Sequence, residues 1–145
     1  MPTAPLISPE LDEMLKLVGD ADSVELKLTV PDEDRQSAAA ALGVDPLNAR
    51  IRQVYFFDTP DLALDGAGVV VRARRTQGAP DDTVVKLRPV VPKDLPLELR
   101  ARKDFVVEVD AMPGKYVCSA SFKGQANAGS VKETVSGGQP LRKLF

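Results

Sequence analysis

The chain has no histidine, no tryptophan and a single cysteine among its 145 residues. Each absence removes a chemistry. Without histidine there is no imidazole general base, no Ser-His-Asp triad and no His or Cys cage for zinc. Cys118 has no second cysteine to bridge to, which fits a reducing compartment. With no histidine to activate it, its expected role is that of a small buried apolar group. No apolar run approaches the length of a membrane span, and the N-terminus lacks a basic stretch followed by an apolar one. The expectation is a soluble, cytoplasmic protein with no membrane partner. An excess of positive charge is also missing: 19 Lys and Arg stand against 21 Asp and Glu, a net charge of −2. The chain as a whole is therefore not a basic nucleic-acid binder.

What is present suits a single domain over residues 1–145. Hydrophobic residues make up 43% and charged residues 28%, within the globular range. Residues 1–7 read as a tail. "SPELDEMLKLVG" reads as a helix capped by Ser8, with Pro9 in the first turn and Gly19 at the end. "SVELKLTV" (23–30) alternates strictly, as a strand does. "PDEDRQSAAAALG" predicts a second helix ending at Gly43. "RIRQVYFFDTP" (50–60) predicts a strand stopped by Asp58-Thr59-Pro60, where Asp58 fixes the turn. "DLALDGAG" is a short connection. "VVVRARRTQGAPDDTVVKLRP" (69–89) reads as two strands around a loop. Further strands are expected over 97–110 and at "KYVCSASF", with another at "VKETV".

The hairpin poses a physical question. Arg72 and Arg74 share one face of its first strand, and Lys86 and Arg88 share one face of its second, with no acid evident on either. Like charges opposed on paired strands repel unless something neutralises them. Glu25 and Lys27 share a face of the first strand, and Glu108 and Asp110 share a face of a later one. The simplest reading is a half-buried sheet whose charged side faces water. The sharper one is a surface built for a polyanion with a divalent metal. Phosphoryl transfer needs cations on phosphate oxygens and Mg²⁺ or Mn²⁺ on carboxylates.

In order and spacing, "SVELKL", "VYFFDTPDLALDGAGVVVRARR", "TVVKLRP" and "FVVEVD" resemble the CYTH domain of the triphosphate tunnel metalloenzymes, over residues 23–110. The family pattern is an ExExK strand, a YFDTP…LRxR segment, a TxK strand and an ExE strand. The resemblance implies an α+β fold built on an antiparallel β-barrel, here a partial barrel with flanking helices. It implies a metal-dependent triphosphate-processing activity: a phosphohydrolase of inorganic or organic triphosphates, an adenylyl cyclase making cyclic AMP, or a non-catalytic polyphosphate-binding module. Carried over residue by residue, Lys27, Arg72, Arg74, Lys86 and Arg88 would hold the triphosphate. Glu25, Glu108 and Asp110 would hold Mg²⁺ or Mn²⁺. Arg52 and Arg102 have weaker claims. Two departures stand out. Ser23 replaces the first Glu of ExExK. Residues 111–145 hold few ionisable groups for a second half of a tunnel, so a truncated end is expected. A half tunnel exposes strand edges, and a homodimer that closes the barrel is the corresponding hypothesis.

Overall fold

The β-branched run Val69-Val70-Val71 opens strand β3 (Val69–Thr76), which turns at Gly78 (φ 72°) into β4 (Asp81–Leu87). Glycine is required at that turn because a side chain disfavours the left-handed conformation. In the computed structural model, which describes residues 9–145, this hairpin lies within a six-stranded sheet. The other strands are β1 (Ser23–Leu26), β2 (Arg52–Phe57), β5 (Phe105–Met112) and β6 (Lys115–Ala126). Their order is β1-β5-β6-β4-β3-β2. All neighbours are antiparallel except β1, which runs parallel to β5.

The expected antiparallel barrel is corrected here. The sheet is mixed and open, with β1 and β2 as its edges. Five strand spacings separate those edges, roughly 24 Å along the sheet at about 4.8 Å per strand. Among the described residues no ladder joins them.

Five helices accompany the sheet among the described residues: α1 (Pro9–Gly19), α2 (Arg35–Ala41), α3 (Ala63–Gly66), α4 (Leu97–Arg100) and α5 (Ser130–Val135). A 3-10 turn, Asp32–Asp34, precedes α2 and takes the acidic start of the predicted helix. The predicted tail and the capping Ser8 lie outside the described residues.

Three other expectations are corrected. The strand predicted over 97–110 begins at Phe105; Leu97–Arg100 is a helical turn after Pro96, made of strong helix formers. "VKETV" lies in α5, entered through Gly129 (φ 89°) and fixed by the Val131 N–H donating to Asp81 Oδ2 at 2.9 Å. The strand predicted over 23–30 ends at Leu26, because residues 28–30 have no partner strand.

Alternation along the strands sends one set of side chains to the core. Phe105, Val107, Val109, Cys118 and Ala120 form its larger part, with Leu17 and Val18 of α1 packed against them. Phe105 and Phe122 meet at 4.8 Å between ring centroids, tilted by 58°. A second cluster joins Ala73, Val131 and Leu144 to Tyr55 and Phe57. Burying valines such as Val107 and Val109 contributes about 1.5–3 kcal/mol each. Burial also raises the Cys118 thiol above its ordinary value, as suits an unreactive core group.

Candidate functional site

Residues in register on paired strands point to the same side of the sheet, so the ladders fix what shares the face opposite the core. Glu25 sits beside Asp110, and Ser23 beside Glu108. Glu108 is in register with Ser119 of β6. Ser121, two residues along, is in register with Lys86. Arg72 faces Val84, and Arg74 faces Asp82. Lys27 and Arg88 lie just beyond β1 and β4 and reach the same face, since both contact Asp110. The sheet thus puts every residue predicted for triphosphate or metal on one face: Lys27, Arg88, Glu25, Glu108, Asp110 and Lys86 toward the β1 side, Arg72 and Arg74 toward the β2 side.

The contacts follow from side-chain size. Lys86 and Glu108 stand on strands separated by β6, about 10 Å apart at the backbone. Between them β6 presents Ser119 and Ser121, both fully buried. Over this low floor the long side chains meet: Lys86 Nζ lies 4.0 Å from Glu108 Oε2, and Lys123 Nζ lies 3.1 Å from Glu108 Oε1. Asp110, fully buried, accepts from Arg88 and from Lys27, the latter at 3.0 Å. Lys27 also stands 3.8 Å from Glu25. Arg74 Nε donates to Asp82 Oδ2 at 2.7 Å.

Asp82 corrects the expectation that the hairpin face holds no acid; second in β4, it lies on the same side as Arg74. Burial holds the Lys86 ammonium below the ordinary lysine value; Asp110 and Glu108 oppose this, while Arg88 and Lys27 add to it.

Several polar atoms on this face are buried without a hydrogen-bond partner: Arg72 Nε, Arg88 Nε, Asp110 Oδ1, Ser119 Oγ and Ser121 Oγ. Buried polar groups are ordinarily satisfied, and leaving one unmade costs about 1–3 kcal/mol. Their concentration beside Lys86 and Asp110 marks a place suited to a polar ligand. A groove of about 620 Å³ adjoins it, lined by the cations Arg72, Arg74, Lys103 and Lys123 and the acids Asp82 and Asp104, above Val84 and Val106. That is within the range of small-molecule sites.

The predicted metal ligands are placed less favourably. Among the described residues no three Asp, Glu, Cys or His side chains come together as a ligand set. Glu25, Glu108 and Asp110 share the face, but Lys27, Lys86, Arg88 and Lys123 bind or approach their oxygens. What remains is Asp110 Oδ1, free and buried, with Glu25 as its neighbour on β1. Such a pair does not make a resident metal cage.

Other predicted residues divide. Asp58 fixes its turn, accepting from the N–H groups of Thr59, Leu64 and Asp65 at 2.7, 2.9 and 2.9 Å. Arg102 pairs with Asp104 through two hydrogen bonds and covers the Phe122 ring, a structural use. Arg52 lies on edge strand β2, exposed. Sequence reasoning missed Lys123, Lys103, Asp82, Ser119 and Ser121. The alternation Val117, Ser119, Ser121, Lys123 was available in "KYVCSASFKGQA", but only the register to β4 and β5 reveals its use.

Comparison with protein-family models, with curated proteins and with solved structures finds no match to this chain.

Proposed function

We propose that this chain is a metal-dependent triphosphate-processing domain whose charged sheet face binds the phosphate chain. The observation that carries the proposal is the cluster of cations on this face around buried, unsatisfied donors, Arg72 Nε and Arg88 Nε. Lys27, Arg72, Arg74, Lys86, Arg88 and Lys123 take the phosphate oxygens, and Ser119 and Ser121 donate from the floor. Cations held in a partly dry setting bind phosphate more strongly than solvated ones. The resemblance to the CYTH domain supports the same ligand. Asp110 and Glu25, together with phosphate oxygens, would hold Mg²⁺ or Mn²⁺, which would offset the charge developing on a transferring phosphoryl group. Attack by water on tripolyphosphate gives pyrophosphate and orthophosphate, and needs no histidine.

A second reading has its own observation. Each of the three carboxylates already contacts a cation of the same face. A module that only holds polyphosphate needs no more than that. Phosphate release from tripolyphosphate, with Mn²⁺ and with EDTA, separates the two. Metal-dependent release, lost in an Arg72→Ala/Lys86→Ala variant, supports the hydrolase. Binding without release, unchanged by EDTA, supports the module. Release of pyrophosphate and cyclic AMP from ATP instead would assign the cyclase reaction. Neither binding nor turnover would refute the proposal.

A further inference from the structure

Strand β1 is the sheet edge beside Asp110, and β5 is its only neighbour among the described residues. The Lys27 N–H donates to Ala111 O at 2.9 Å. The backbone groups of Glu25 and Lys27 therefore turn toward β5, and those of Val24, Leu26 and Leu28 turn outward. These three residues are also unusually bare, with 44%, 77% and 77% of their surface exposed. An exposed apolar edge with free N–H and C=O groups is a template for another strand. Residues 27–30 carry the alternation of a strand, yet the strand stops at Leu26.

The segment Ser23-Val24-Glu25-Leu26-Lys27-Leu28-Thr29 complements itself when reversed about Leu26. In an antiparallel pairing of two copies centred there, Leu26 meets the partner's Leu26 and Val24 meets the partner's Leu28. Ser23 meets the partner's Thr29. Glu25 meets the partner's Lys27, and Lys27 the partner's Glu25. Opposite charges directly across a ladder are favourable, and like charges unfavourable. Moving the centre to Glu25 or to Lys27 sets like charges against each other. A centre between two residues would match outward backbone groups with inward ones. Backbone direction, apolar matching and charge thus select one register.

We infer that two copies of this chain associate through β1, antiparallel about a twofold axis at Leu26, and join their sheets into one. The charged faces then run together, and each Glu25 gains the partner's Lys27. This inference stands independently of the phosphate reading. The contact is small by the standard of stable interfaces, so the dimer should form with micromolar affinity and dissociate on dilution.

Sedimentation of the full chain over a range of concentrations tests it. The expected result is a species near twice 15.6 kDa that dissociates on dilution. Leu26→Lys, at a site exposed in the single copy, should abolish that species without loss of folded signal. Cross-linking by a short bifunctional thiol reagent then fixes the register. Leu26→Cys should link to itself. Val24→Cys and Leu28→Cys should each fail alone, since like positions lie about 14 Å apart along the strand at ~3.4 Å per residue, but should link when mixed. A chain monomeric up to millimolar concentration, a dimer indifferent to Leu26→Lys, or self-linking of Val24→Cys would each overturn the inference.

Discussion

At the scale of single residues, Asp110 and Lys86 organise the charged face. Asp110 is buried between Arg88 and Lys27, with one oxygen unmatched. Removing one member of a buried ion pair costs about 3–5 kcal/mol. Here Lys27 and Arg88 retain 38% and 39% side-chain exposure and can turn to water. Asp110→Ala should therefore cost less, about 2 kcal/mol, measured by urea unfolding. Lys86 behaves in the opposite sense. Burial lowers its pKa in the folded chain, so in the alkaline range below the ordinary lysine value the unfolded chain binds the extra proton. The cost of keeping Lys86 charged is present below its folded value and is relieved as pH rises through it, so stability rises there. Lys86→Met should abolish that alkaline rise and leave stability near neutral pH unchanged or higher. The same variant should weaken tripolyphosphate binding about tenfold or more, the equivalent of a charged hydrogen bond. Binding to the unmodified chain should weaken as pH rises through the Lys86 value, because the anion favours the protonated amine. Lys86 and Asp110 were each legible as one of a pair sharing a face of its own strand, Lys86 with Arg88 and Asp110 with Glu108, because side chains alternate along a strand. Asp82 falls in the same alternation as Lys86 but was missed because the Gly- and Pro-containing stretch before Thr83 reads as loop, and Lys123 was missed because its register to β5 cannot be read from one strand's pattern.

At the scale of elements, the approach of β3 to the end of β4 sets Arg88. The Arg88 N–H donates to Gly68 O at 2.8 Å, and Gly68 has φ 73°. A Cβ added at Gly68 would lie 2.5 Å from the Arg88 carbonyl oxygen. Gly68→Ala should cost about 2 kcal/mol, from left-handed strain with the clash added, and should weaken tripolyphosphate binding by displacing Arg88. Asp81→Ala supplies the contrast. It removes the acceptor of the Val131 N–H at the start of α5, away from the charged face. A loss of about 1–3 kcal/mol with unchanged binding is expected, checked by unfolding and titration. The hairpin β3–β4 and the strand at Phe105 are legible because β-branched residues and turn glycines agree there. "VKETV" misleads because its valines suit a strand, while Gly129, Asp81 and the buried Val131 fix a helix. "LELRAR" misleads because its alternation matches a strand's, but its residues are helix formers that follow Pro96.

At the scale of the whole molecule, a chain of net charge −2 places cations densely on one face of one sheet. The grouping of charged residues on one face of each strand follows from periodicity. Closure does not, because whether β1 and β2 meet depends on strand order, which alternation does not encode. No helix among the described residues is long and apolar enough to cross a membrane.

The central claim is that the face takes a polyphosphate. Calorimetric titration with tripolyphosphate, with and without Mn²⁺, on the unmodified chain and on Arg72→Ala/Lys86→Ala tests it most directly. Saturable binding that the double variant loses, and that weakens with added salt as exposed charges are screened, is the predicted result. Absence of saturable binding by the unmodified chain, or equal binding by the variant, would contradict it.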